Sequence, residues 1–234
     1  MARKRQRPTH RIPISKYPFT PATYPGRRPR FSFFFTSKGV YRLQLRTLKQ
    51  FLKDRDLPPL DERYAILAYG SNASPGQLLR KYRDHGLDNV PVLFGRLVAA
   101  EPVYAHRATV RDHYVPSTLA RNKGSRPSWI TLLTADQLGQ MDASEGRPNS
   151  YELTRLTRCR FLIGKKRVDL LYAYVNIPHG VMVRKGKPVS LRSARQKRAK
   201  RLLDETTEHT AAHWLDYVII PNPHPPGQYS SIGR

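Results

Sequence analysis

Three features of this sequence could do chemistry: a Gly-Ser-Asn turn, one carboxylate in an unfavourable place, and two dense basic segments. Gly70-Ser71-Asn72 ends the apolar run Tyr64-Ala65-Ile66-Leu67-Ala68-Tyr69, and Pro75 then opens a Leu- and Arg-bearing segment at Gln77 to Tyr82. That order reads as a buried strand, a tight turn and the start of a helix. Gly70 permits backbone conformations closed to other residues and lets the main chain approach a ligand. Amides of Gly70, Ser71 and Asn72 beside a helix N-terminus suit a carboxylate or another anion. Ser71 and Asn72 are equally at home as plain turn residues. Glu145 lies at the end of a helical pattern that stops at Gly146, with Pro148 beyond. The helix dipole is negative there, so a carboxylate is out of place. A surface position at a helix end is the ordinary explanation, and the misfit favours a functional one. Tyr151 is either a half-buried strand residue or part of the same site.

The basic residues point to a different partner class. With 42 Lys and Arg against 17 Asp and Glu in 234 residues, the formal net charge is +25. Such a charge favours polyanions: RNA, DNA or an anionic membrane surface. No acidic residue precedes Asp54, and none falls between Val181 and Asp204. Arg3, Lys4, Arg5, Arg7, Arg27, Arg28 and Arg30 are the first candidate phosphate contacts. Arg184, Lys185, Arg195, Lys197, Arg198, Lys200 and Arg201 are the second set. Tyr17, Phe19 and Tyr24 interleave the first segment and could stack on bases.

Other chemistries find little support. Cys159 is the lone cysteine, which rules out an internal disulfide and suggests a reducing, intracellular compartment. Between Arg158 and Arg160 it is an activated thiol or, more simply, a half-buried strand residue. His209 and His213 share a helical spacing without a third ligand, so no metal is expected. A phosphate loop, a dinucleotide fingerprint and a nucleophile elbow around Ser71 are all absent. No cofactor is expected, and no apolar run approaches the roughly 20 residues of a membrane span. The expected compartment is the cytoplasm, or an organellar matrix if the basic N-terminus acts as a targeting segment. Prolines recurring from Pro8 to Pro29 oppose the amphipathic helix of a transit peptide.

These residues imply three segments: a basic arm with short adaptor elements over 1–62, a core over 63–180, and a basic helix and tail over 181–234. The arm is expected to be extended and weakly ordered. Short strands are expected at Phe31–Phe35, Pro91–Ala100 (bending at Gly95), 108–110 and Trp129–Leu133, and a polar loop over Arg121–Pro127. Thr134 caps a helix through Gln137. Tyr151–Leu162 alternates, Gly164-Lys165-Lys166 turns, and Val168–Val175 returns as a strand. Leu191–Tyr217 reads as one basic helix. The fold class is α+β: a mixed, curled sheet or small barrel with a few short helices and a basic C-terminal helix.

Two segments in register carry a resemblance. Tyr69-Gly70-Ser71-Asn72 at a strand end is similar to the signature of the gamma-glutamylcyclotransferase-like superfamily. Trp129-Ile130-Thr131-Leu132-Leu133-Thr134, then Leu138, Met141-Asp142, Glu145-Gly146 and Tyr151, resembles that family's strand, helix, acidic residue, glycine and tyrosine. The likeness covers about Tyr64 to Asn176. Ala73, where members carry a bulkier apolar residue, and Ala143-Ser144-Glu145, which lacks a further acid, depart from the pattern. The resemblance implies release of 5-oxoproline from a gamma-glutamyl amide, with Glu145 as acid and base. Tyr69, Gly70, Ser71, Asn72 and Tyr151 would bind the substrate, with neither metal nor cofactor. The basic extensions support another reading, a non-catalytic scaffold associated with nucleic acid, RNA over DNA, as in a ribonucleoprotein. Deleting residues 1–30 is then expected to leave the core folded.

Overall fold

The computed structural model describes residues 10–107, 114–168 and 170–221. Arg3, Lys4, Arg5, Arg7 and the strand expected over 108–110 lie outside the described residues.

The basic arm does not hang free. β1 (Arg11–Ile12) pairs with the outer edge of a hairpin formed by β2 (Phe33–Thr36) and β3 (Gly39–Arg42). Phe33, Phe34 and Phe35 of β2 are all buried, on alternating faces. α1 (Leu48–Lys53) buries Leu48 and Leu52 on one face. β4 (Tyr64–Leu67) has Tyr64 and Ile66 in one core cluster, and Ala65 and Leu67 in the other. Two-sided burial explains why its sequence is continuously apolar and does not alternate. α2 (Pro75–Tyr82) starts with Pro at its first position and lays Leu78 and Tyr82 on the Ile66 side.

β5 (Val90–Tyr104) and β6 (Ser117–Leu133) form a long antiparallel ribbon running from Val92 opposite Thr131 to Tyr104 opposite Ser117. The expected loop over Arg121–Pro127 is therefore strand. Its polar composition is outweighed by cross-strand partners: Arg126 opposes Leu97, and Asn122 donates to Glu101 at 2.7 Å. A bulge at Ala99, with φ of 69°, absorbs the irregularity.

α3 (Ala135–Glu145) has the expected start, with Thr134 and Gln137 bonding each other's backbone amides. It stops at Gly146, in the left-handed region at φ 65°. β7 (Glu152–Leu156) comes next. β8 (Arg160–Ile163) and β9 (Lys166–Val168) make the expected hairpin, but the return strand ends at Val168. The wholly buried β10 (Tyr172–Val175) instead enters the sheet between β4 and β7, parallel to the first and antiparallel to the second.

The long basic helix is also corrected. β11 (Val181–Arg184) and β12 (Lys187–Pro188) precede a short α4 (Gln196–Leu202). β13 (Thr207–His209) then pairs with β11, so backbone hydrogen bonds to that strand interrupt the helix. α5 (Ala211–Trp214) and β14 (Tyr217–Ile219) end the described chain.

The main sheet runs β1-β3-β2-β5-β6-β4-β10-β7-β14, with β8 attached to the middle of β5 and β9 to β8. It is open and mixed, and the barrel alternative is set aside because β1 and β14 are its two ends. Elements expected in the arm and in the tail share this sheet with the core. β12-β11-β13 form a smaller sheet. No helix among the described residues is long and apolar enough to cross a membrane.

Gly95 is more than a bend. A Cβ there would lie 2.3 Å from the Leu162 carbonyl oxygen and 2.7 Å from the Phe161 ring. Gly95→Ala is expected to lower stability by about 1–3 kcal/mol, measured by urea unfolding. An unchanged midpoint would mean that β8 does not cross β5 so closely.

Candidate active site

β4 sends the chain directly into the Tyr69–Asn72 turn, and α3 brings Glu145 to it from the other side. Ser71–Ala73 forms a single 3₁₀ turn before α2. Gly70 has a negative φ, −91°, so positive φ is not what its glycine supplies. Its role is close approach: a Cβ would fall 2.7 Å from Ser117 Oγ and 2.8 Å from the Tyr24 hydroxyl.

Tyr69, Gly70, Ser71, Asn72, Glu145 and Tyr151 all line one cavity of about 430 Å³. Asn72 Nδ2 donates to Glu145 Oε1 at 2.9 Å. Lys81 Nζ forms an ion pair with the same oxygen and approaches Met141 Sδ at 3.2 Å. Both bonds use Oε1, which leaves Oε2 for the cavity. Lys81 answers the electrostatic misfit of Glu145 at the negative end of α3. A buried pair of this kind is weak evidence for stability, because desolvation offsets its attraction.

Sequence reasoning missed Lys81. The signal was periodicity: Lys81 is three residues from Leu78 and adjacent to Tyr82, on the helix face that is buried. Also missed were Tyr24, Ser117 and Gln77. Tyr24, from the supposed tail, closes the cavity: its hydroxyl bonds Ser117 Oγ and accepts from the Ser117 amide at 2.9 Å. Its ring stacks on Tyr114 at 4.7 Å.

Tyr151 donates to the Ser117 carbonyl at 2.8 Å, so it does not orient Glu145 directly. Tyr69 donates to the Tyr174 carbonyl. Tyr174 in turn donates to Asp142 Oδ1 at 2.6 Å. Two buried acceptors on the wall, Asn72 Oδ1 and Gln77 Oε1, have no hydrogen-bond partner among the described residues. Unpaired buried polar atoms are unfavourable, so they favour a ligand that donates. Among the described residues Arg80, Lys81 and Arg107 stand on this wall with Glu145, and Lys81 is the one paired to that carboxylate.

The remaining described candidates lie outside this cavity. Arg28 is turned inward: its Nη1 donates to the carbonyls of Tyr69 and Gly70 at 3.0 Å each. It faces a second cavity and not the open surface. Arg27, Arg30, Lys185, Arg195, Lys197, Arg198, Lys200 and Arg201 are exposed. Arg184 pairs with Glu205 at 2.9 Å. Burial, then the nearby Asp216 carboxylate, raises the Cys159 thiol to about 11, which excludes an activated thiol. Among the described residues no group of three His, Cys, Asp or Glu is placed to hold a metal.

No protein-family model matches the chain, and no curated protein matches it in sequence. Three solved structures are similar in outline. One described as a gamma-glutamyl cyclotransferase is 13% identical with a TM-score of 0.42, over 63% of this chain and 90% of that one. The uncharacterized protein loc79017 from Homo sapiens is 12% identical with a TM-score of 0.41, over 63% and 90%. YkqA from Bacillus subtilis is 10% identical with a TM-score of 0.41, over 76% and 70%.

The cavity's phenols give a pH test. Burial first, then neighbouring phenols and Glu145, raises Tyr24, Tyr69 and Tyr151 above the ordinary tyrosine value. A raised folded value leaves stability intact below the unfolded value of about 10 and removes it above that. The phenols' contribution to stability should therefore be level up to about pH 10 and then fall. In an ultraviolet titration these phenols should ionise only as the protein unfolds. Reversible titration of every tyrosine at the ordinary value in the folded protein would contradict their burial.

Proposed function

We propose that the cavity catalyses cyclisation of a gamma-glutamyl amide to 5-oxoproline, with Glu145 as the acid and base. The observation that carries this reading is the carboxylate itself: anchored through Oε1 by Asn72 and Lys81, it keeps Oε2 on a cavity rimmed by the Gly70 turn. Asn72 Oδ1 and Gln77 Oε1 accept from the substrate's α-ammonium, and the cationic wall takes its carboxylate. Oε2 removes a proton from that ammonium, and the freed amine attacks the γ-carbonyl carbon. The new C–N bond closes the ring. The old C–N bond then breaks as Glu145 passes its proton to the leaving nitrogen, and the second proton, shed by the ring nitrogen, goes by way of Glu145 to the released amine, which departs as an ammonium. Attack within one molecule supplies the effective concentration.

Glu145→Gln keeps an acceptor for Asn72 and Lys81 and loses the base. Release of 5-oxoproline from a panel of gamma-glutamyl amides should fall about 10²–10⁴-fold, and the melting temperature should drop because Lys81 loses its anion, with the variant still folded at the assay temperature. Undiminished release by the Gln variant would remove Glu145 from the chemistry. A wild-type protein inactive on the whole panel would remove the reading.

A second reading, association with nucleic acid, is favoured by one structural observation. The two basic segments, far apart in sequence, meet: the 3₁₀ turn Pro21–Thr23 of the arm packs against α4. α4 buries Gln196, Ala199 and Leu202 and leaves Lys197, Arg198, Lys200 and Arg201 exposed. RNA fits such a face through its phosphates. Deleting residues 1–30 is not a clean test, because Tyr24 closes the cavity and Pro29 accepts from Trp129 Nε1 at 2.7 Å. Neutralising Lys197, Arg198, Lys200 and Arg201 is the appropriate variant. Affinity for a single-stranded RNA should fall steeply with salt, by about 0.7 in log K per log salt for each phosphate engaged. The neutralised variant should flatten that slope. A slope near zero in the wild type would assign the charge to another purpose.

A further inference from the structure

A second cavity, of about 520 Å³, lies behind the Tyr69 wall of the first. Its lining comes from both basic segments, with Arg28 and Arg30 from one and Arg192 from the other, and from β5 and β6, with Glu101 and Arg126. Four arginines against one glutamate leave a formal charge of +3 on its wall. That glutamate is already engaged: Glu101 accepts from Asn122 at 2.7 Å, Ser190 at 3.3 Å and Arg126 at 3.4 Å.

Of these cations Arg28 is the one turned inward by its hydrogen bonds. Its guanidinium lies 4.5 Å from the centre of the Trp129 ring, and it donates to the two carbonyl oxygens of Tyr69 and Gly70. Among the described residues no carboxylate pairs with it. Burial lowers it to about 10, the direction in which an unpaired cation moves when water is removed. A buried cation without an anion is unfavourable, and an anionic ligand relieves it. Arg30 and Arg192 at the rim are exposed. Planar guanidinium forks match the oxygens of a phosphate, and several around one cavity favour a doubly liganded group over a lone carboxylate.

We infer that this cavity seats a phosphodiester of single-stranded RNA, held between Arg28, Arg30 and Arg192. The inference rests on the nucleic-acid reading of the basic segments and gives that reading a place. The chain of phosphates enters along the exposed face of α4 and passes the Arg27–Arg30 rim, so the flanking cations extend the site.

The test measures binding of a labelled single-stranded oligonucleotide to the full-length protein as salt is varied. Arg30→Ala combined with Arg192→Ala removes two exposed side chains from the rim, so the fold should persist. Arg46→Ala combined with Lys49→Ala removes the same charge from an exposed surface outside the cavity. The cavity pair should weaken binding at least about tenfold and reduce the salt slope by about 0.7, as expected for the one phosphate they share. The control pair should change affinity less than about twofold, since charge removed outside the cavity contributes only through screened, longer-range attraction. Equal losses in both pairs would overturn the cavity and leave diffuse attraction. An unbound wild type would overturn the nucleic-acid reading along with it. Displacement by inorganic phosphate well below the chloride needed at equal ionic strength would make this a free-phosphate site and overturn the RNA assignment.

Discussion

A strand hydrogen-bonded along both edges and buried on both faces has no freedom to slip, because a shift of one residue exchanges its two core faces. β4 is in that position: β6 pairs along one edge, β10 meets the other at Ile66, and its residues divide between two core clusters. The turn and helix C-terminal to β4 inherit its fixed placement. The turn at Gly70 is held under Ser117 and Tyr24, and α2 leaves it at an angle that carries Lys81 towards α3. The carboxylate of Glu145 meets the turn because a strand and a capped helix both end there.

The fold deals with its surplus of cations in distinct ways. Most stay in water. Lys81 is buried against a carboxylate. Arg63 is buried against the carbonyls of Pro58 and Leu132, at 2.9 and 3.1 Å, and ties the loop before β4 to the end of β6. Arg28 also takes carbonyls, but on the wall of a cavity and over an aromatic ring. The difference between Arg63 and Arg28 is not in their partners but in what lies beside them.

Much of the central architecture was legible because local rules and burial agreed. The β4 run, the Thr134–Gln137 cap, the Gly146 stop and the Gly164 hairpin were read from residue types alone. The errors arose where a distant partner decided. Arg121–Pro127 looks like a loop until β5 lies beside it, and Thr207–His209 looks helical until β11 does. Of the site, Asn72 and Glu145 were visible as a turn and an electrostatic misfit, and their 2.9 Å contact was not. Tyr24 could not be placed in that wall by periodicity, since its partner Ser117 is 93 residues away.

That separation also bears on how the molecule comes to exist. Loop closure over long stretches of chain is slow and is rewarded only when both ends are present. The wall of the first cavity joins Tyr24, Gly70, Ser117, Glu145 and Tyr174. A chain made from its N-terminus therefore exposes Tyr24 long before Ser117 emerges to receive it, and the pocket is finished only once β10 is in place. An arm rich in proline and arginine suits that interval: it resists premature helix and collapse, and it stays soluble until the sheet is ready to take it in.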